Sequence, residues 1–440
     1  MSTPLHSSPF CLVFIFLTLS IVAQSIVPPS NTFKFVNEGE FGEYIVEYDA
    51  NYRVLSLFTF PFQLCFYNTT PNAYTLAIRM GVRNSESIMR WVWDANRGNP
   101  VRENATLTFG TDGNLVLADA DGKIAWQTRT SNKGVVGLKL LPNGNLVLHD
   151  SRGRFVWQSF DYPTDTLLVG QSLRQGGPTK FVSRVSDADG SEGPYSFVLE
   201  KKRIAMYLKS KNSPNPILYH IAEEFGPQQG TISSVVFSSE PETDEAYAYE
   251  LRYGITGTKS SGTRLVGRPK YNSTLSLLRV GSDGSLKVYT YYDKVDWGAW
   301  EITYSLFDKD GIYGVSECKS PTRCGSLGVC EDSQCVACPR PQGLLGWSKT
   351  CAPPSLPPCK TGSQNIDYYK VVGVEHFTYE YSQGVGPMKL ADCRERCSKD
   401  CGCLGFFYRE ESSKCLLAPV LGTLAKVSNQ THVAYIKMSK

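Results

Sequence analysis

Charge of one sign is what this chain has least of in excess. Its 440 residues carry 45 Lys and Arg against 42 Asp and Glu, a formal net charge of +3. A protein that held nucleic acid by neutralising phosphates would need a basic surplus, so no nucleic-acid partner is expected. Histidine is scarce too, with five in the chain, and no His-Glu-x-x-His, Gly-x-Ser-x-Gly or P-loop pattern is present. Without a recognisable nucleophile and base the chain is read as non-enzymatic, with no catalytic residue assigned. A glycosidase, which needs only two carboxylates, is the class that such a search does not see. Metal ligation is equally unsupported. Cys335-x2-Cys338 has knuckle spacing, but no second such pair follows and the only nearby histidine is His376, so neither metal nor cofactor is expected. Long apolar runs are missing as well: beyond residue 25 the best stretch, 55–67, contains Pro61 and Gln63, and no transmembrane segment is expected.

What is present points to an exported β protein. Hydrophobic residues make up 41% and aromatics 12%, enough for a real core, while 38 Gly and 25 Pro imply many turns and few long helices. Residues 10–19 form an apolar run of signal-peptide length, followed by small and polar residues at Ala23-Gln24-Ser25, so 1–25 is expected to be a signal peptide, although no Lys or Arg precedes the run. Of the 14 cysteines, 12 fall between Cys318 and Cys415, a density that reads as a disulfide framework in an oxidising compartment. The remaining mature cysteine, Cys65, sits among aromatic and aliphatic neighbours and is expected to be a buried thiol, with an intermolecular disulfide as the alternative. Four sequons, at Asn68, Asn104, Asn272 and Asn429, are expected N-glycosylation sites.

The sharpest internal signal is a period of 31 residues. Gly113-Asn114-Leu115-Val116-Leu117 recurs as Gly144-Asn145-Leu146-Val147-Leu148, and Trp126-Gln127 recurs as Trp157-Gln158. Each unit reads as strand, glycine turn and strand, a hairpin that cannot bury its apolar face alone. Stacking copies about an axis would bury the tryptophans together, and Trp93, 33 residues before Trp126, suggests a third, more divergent unit.

The Asp112-x-Asn114-x-Val116 unit, the Trp93-Asp94-Ala95-Asn96-Arg97 segment and the Trp157-Gln158-Ser159-Phe160-Asp161-Tyr162-Pro163-Thr164 string resemble bulb-type (mannose-binding) lectin domains. More narrowly they resemble plant S-locus-glycoprotein-like lectins, especially the secreted epidermis-specific glycoproteins that lack a kinase. The resemblance implies a mainly β fold: two β-prism bulb-lectin-like domains, then a disulfide-rich EGF-like module and a PAN/apple module with one helix on a small sheet. The implied divisions are 26–185 and 186–313 for the two lectin-like domains, 314–352 for the EGF-like module and 353–440 for the PAN/apple domain. It also implies the pairs Cys318–Cys330, Cys324–Cys335, Cys338–Cys351, Cys359–Cys401, Cys393–Cys415 and Cys397–Cys403. In the last module a helix is expected over 388–399, with Leu390, Cys393 and Cys397 on one apolar stripe.

The family's sugar motif, Gln-x-Asp-x-Asn-x-Val-x-Tyr, sends five side chains to one face of a strand. Here it is reduced. The first unit retains Asp112, Asn114 and Val116, and the second carries Asn143, Asn145 and Val147; these six are the sugar-binding candidates. A third stretch, Gly281-x-Asp283-x-Ser285-x-Lys287-x-Tyr289, keeps the Asp and the Tyr. Asp112 and Asn114 have an equally good explanation as hairpin-turn residues. The resemblance implies a secreted, extracellular lectin-like protein of the cell wall or apoplast whose partners are mannose-type glycans or secreted glycoproteins, a homodimer being possible. The alternative is a protein-binding scaffold whose sugar sites have decayed.

Overall fold

Each 31-residue unit folds as the expected hairpin with its two leucines turned inward. The computed structural model describes residues 26–440 apart from 83–87, 227–228, 242–246, 258–260, 270–271, 273, 296, 311–313 and 359–365. The expected signal peptide and Cys359 lie outside the described residues. Leu115, Leu117, Leu146 and Leu148 are fully buried, and Gly113 and Gly144 take the left-handed backbone, φ +80° and +84°, that their turns require. The two hairpins, Leu115–Ala118 with Ile124–Gln127 and Leu146–Asp150 with Phe155–Gln158, lie in different antiparallel sheets. A third sheet holds Asn51–Thr59, Phe62–Asn68, Thr75–Met80 and Arg90–Asp94. Each sheet sends one tryptophan to the centre. The rings of Trp93, Trp126 and Trp157 meet pairwise at 5.7 to 6.0 Å with interplanar angles of 69° to 75°. This edge-to-face triad is the three-fold core of the first array.

The second array repeats the plan with a different chain route. Three short strands, Thr166–Leu168, Ser172–Arg174 and Lys180–Arg184, each become the edge of a separate four-stranded sheet. The rest of the chain then fills those sheets in reverse order: 192–224 beside Lys180–Arg184, 232–267 beside Ser172–Arg174, and 276–305 beside Thr166–Leu168. Residues 166–184, which the expected boundary at 185/186 places with the first domain, therefore pair with the second array.

The sheet containing Ser276–Val280 lies between the two cores. Leu277 belongs to the first core and Leu278 to the second, just as Leu168 and Leu167 do on the neighbouring strand. A strand buried on both faces cannot show period-2 alternation, which is why the apolar pattern slips at Leu277-Leu278.

The cysteine-rich tail closes Cys318–Cys330, Cys324–Cys335, Cys338–Cys351, Cys393–Cys415 and Cys397–Cys403. Cys401 is also disulfide-bonded, while Cys65 is a free, fully buried thiol whose pKa burial pushes up to about 12. Segments expected as two modules share one sheet: Leu327–Glu331 pairs in parallel with Gly422–Lys426, inside a five-stranded sheet that also takes Val374–His376. The one α-helix among the described residues runs Leu390–Lys399 rather than from residue 388. Met388 is held outside it, its amide donating to the Ser413 carbonyl at 2.8 Å and its carbonyl accepting from Tyr408 Oη at 2.8 Å. Cys393 and Cys397 are buried as expected of the stripe, whereas Leu390, in the first turn, is exposed.

His376 stands at the centre of this tail. Its Nε2 lies 2.8 Å from the Val420 carbonyl and its Nδ1 2.7 Å from Thr378 Oγ1, and burial lowers its pKa to about 4. A neutral buried imidazole contributes stability that is complete above the unfolded pKa of about 6.5 and is lost as pH falls to about 4. We expect acidification over that window to remove up to about 3 kcal/mol through this group. Urea midpoints at several pH values should fall less steeply in His376→Gln than in the natural sequence; equal slopes would discount the histidine.

Candidate functional site

The six sequence-derived candidates fall into two groups. Asn114 is 7% exposed and Asn145 3%. The Asn114 amide nitrogen donates to Gln127 Oε1 at 2.9 Å, and its Oδ1 accepts from Thr128 Oγ1 at 3.0 Å and the Thr130 amide at 3.1 Å. One period later, Asn145 donates to Gln158 Oε1 at 2.8 Å and accepts from Ser159 Oγ and the Phe160 amide, both at 3.2 Å. Both side chains therefore tie the turn of their hairpin to the end of its second strand and to the segment just after it. Val147 is buried as well. Asn114, Asn145 and Val147, expected as sugar contacts, are thus all buried, and the two asparagines satisfy backbone amides that would otherwise be buried without partners. Asp112 and Asn143 remain outside, each accepting a bond from the backbone amide two residues on at 3.2 Å, and Val116 is half-buried. No cavity among the described ones gathers Asp112, Asn114 and Val116 together.

The third motif stretch behaves differently. The turn residues Gly281, Asp283 and Ser285, with Asp283 accepting from the Ser285 amide at 2.9 Å, and Lys287 and Tyr289 of the strand Leu286–Tyr291 line one wall of a cleft of about 430 Å³ between the two arrays. The opposite wall comes from the first array, at Glu47, Tyr48 and Asp49, and the back from Asp165, Arg184 and Arg279. Glu47 and Tyr289, 242 positions apart, meet here, so no local pattern announces the site. Tyr48 and Asp49 both have left-handed backbone, φ 69° and 51°. Such strain in two successive non-glycine residues persists only where the surroundings hold it, and it is commonest at binding sites.

The back wall is a rigid charge network. Buried Arg279 pairs with Glu47 at 2.7 Å and Asp165 at 3.9 Å, and donates to Thr166 Oγ1 at 3.0 Å. Burial, the largest single influence, would lower the Arg279 pKa, but Glu47, Tyr48 and Asp165 around it together outweigh burial and hold the group well above its ordinary value. Arg184 lies 4.3 Å over the Tyr48 ring and donates to Tyr67 Oη at 2.8 Å. Burial raises the Tyr48 pKa, so its hydroxyl stays protonated. The front is more open: Asp49, Asp187 and Asp283 are exposed, and Lys287 stands 4.0 Å from Asp283. Five acidic and three basic side chains line the cleft. That set offers hydroxyl acceptors and donors while disfavouring an anionic ligand.

A second cavity of about 240 Å³ opens on the other side of Arg184. Arg97 closes it, donating to the carbonyls of Gly190, Val182 and Ser183 at 2.7, 2.8 and 2.5 Å, and so clamps the second array to the first. Asn68 lines the same cavity at 4% exposure, and its Oδ1 has no hydrogen-bond partner among the described residues. A side chain so enclosed is an unfavourable place for a glycan. Asn104, Asn272 and Asn429 are exposed. Glycopeptide mapping should find sugar at these three and none at Asn68.

Residues 90–185 match the family model of D-mannose binding lectin. EP1-like glycoprotein 2 of Arabidopsis thaliana is 50% identical over 97% of this chain and 99% of its own. The epidermis-specific secreted glycoprotein EP1 of Daucus carota is 56% identical, covering 80% of this chain and 93% of its own. A G-type lectin S-receptor-like serine/threonine-protein kinase of Arabidopsis thaliana is 27% identical over 79% of this chain but only 39% of its own. No helix among the described residues is long and apolar enough to cross a membrane.

Proposed function

We propose, because the chain belongs to the EP1-like family of secreted, lectin-like glycoproteins, that it binds neutral mannose-type glycans in the cleft between its two arrays. The single observation that carries this reading is the convergence of all five motif positions, Gly281 to Tyr289, on one polar cleft. A hexose there would offer hydroxyls to Asp49, Asp187 and Asp283 and take donors from Lys287 and the Tyr289 hydroxyl, whose ring is held by the Arg90 guanidinium 4.4 Å over it. Binding is the whole activity in this account. The two deepest carboxylates, Glu47 and Asp165, are both paired to Arg279 and so are poorly placed to serve as a glycosidase's acid and base. The ligand is a glycan chain of a secreted partner in the cell wall or apoplast. The division into two lectin-like domains, an EGF-like module and a PAN/apple module belongs to the same reading, with 166–184 reassigned to the second domain.

The test is retention on immobilised mannose and release by free mannose. Lys287→Met/Tyr289→Ala should abolish retention, whereas Asp112→Ala/Asn143→Ala, on the first array, should leave it unchanged. The scaffold alternative draws support from the burial of Asn114 and Asn145, and it wins if the unaltered protein is not retained.

A further inference from the structure

A second groove, of opposite charge to the cleft, lies over the outer face of the sheet formed by Lys180–Arg184, Glu192–Leu199, Arg203–Leu208 and Ile217–Glu224. It holds about 400 Å³, within the range of sites for small ligands. Lys180, Lys209 and Lys211 line it and are exposed, against a single acid, Glu192. Among the described residues none of the three lysines is ion-paired, whereas the arginines of the second array include paired ones, Arg203 with Glu200 and Arg252 with Glu240. The floor is apolar, made by Val182, Val185, Pro194 and Pro216. The rim is held in place. The Lys209 amide donates to the Pro194 carbonyl at 2.7 Å, and Asn212, next to Lys211, donates to the Pro419 carbonyl at 2.9 Å.

We propose that this groove binds a linear polyuronate, a chain of pyranose rings each bearing a carboxylate. Such a polymer matches both features at once. Its carboxylates meet the three unpaired ammonium groups, while the carbon faces of its rings cover the valine and proline floor. An isolated phosphate, whether on a protein or a lipid headgroup, would meet the charge and leave the floor exposed to water. The cleft, with five acids to three bases, disfavours the same ligand, so the two sites would take different sugars and the inference does not depend on the mannose reading.

The test is calorimetric titration of the full secreted protein with a short oligogalacturonate and with its methyl ester, which keeps the rings and removes the charge. The acid form should bind, more weakly as salt rises, and the ester should not. Lys180→Gln/Lys209→Gln/Lys211→Gln should weaken binding at least about tenfold, and a control with the same loss of charge, Lys34→Gln/Lys123→Gln/Lys133→Gln, less than about twofold. If the triple variant folds poorly, the single change Lys211→Glu on the exposed loop carries the same expected direction. Equal weakening in both triples would show diffuse charge attraction, and that outcome, equal binding of the ester, or no binding of the acid form overturns the proposal. Free mannose should not displace the oligomer.

Discussion

Arg279→Met should destabilise the protein by about 3–5 kcal/mol, the range seen when one partner of a buried ion pair is removed. Methionine fills much of the volume, so the loss is electrostatic rather than a cavity. Asp165 would be left in a buried position with its nearest opposite charge gone, and Glu47 would retain only Arg90, at 2.5 Å. The deficit should shrink on acidification, since protonating the stranded carboxylates removes the uncompensated charge. It should also shrink in Arg279→Met/Glu47→Gln, because the pair contributes as a unit. Denaturant midpoints for the two single variants and the double variant give the coupling directly. A loss below about 1 kcal/mol, as for a surface pair, would mean that the back wall of the cleft is hydrated and not the rigid element described here.

The second large effect belongs to the tryptophan triad. Trp157→Ala removes one of three rings that meet within 6.0 Å and opens a cavity at the centre of the first array, for an expected loss of about 3–5 kcal/mol. Trp157→Phe keeps part of the packing and should lose less. Since every ring touches the other two, Trp93→Ala combined with Trp157→Ala should be less damaging than the two losses added together. Strict additivity in thermal or urea denaturation would contradict a shared centre.

The first array was readable because its signals are local. A glycine at positive φ, an asparagine at the turn, two inward leucines and a terminal tryptophan recur within one hairpin, so the 31-residue period and the core are the same fact seen twice. What the asparagine does was not readable. The pattern Asp112-x-Asn114-x-Val116 suits a sugar face and a turn equally, and the three bonds to Gln127, Thr128 and Thr130 are visible only in three dimensions. The route of the second array was hidden for another reason. Thr166–Leu168, Ser172–Arg174 and Lys180–Arg184 are too short to carry a period, and Ser276–Val280 is buried on both faces. The cleft was hidden by distance: Gly281 to Tyr289 were visible as a degenerate motif, but Glu47 to Asp49, Asp165 and Arg184 have nothing in sequence to connect them to it. Parallel pairing of Leu327–Glu331 with Gly422–Lys426 likewise joins segments about 90 residues apart, which local spacing of cysteines cannot foresee.

The central proposal is that the chain takes sugar in the cleft between the arrays and not on the outer face of the first array. Hydrogen–deuterium exchange with and without saturating mannose locates the ligand without altering the protein. The account predicts added protection in peptides spanning 281–289 and 46–50, with none in those spanning 110–118 and 141–149. Protection confined to the latter two would contradict it.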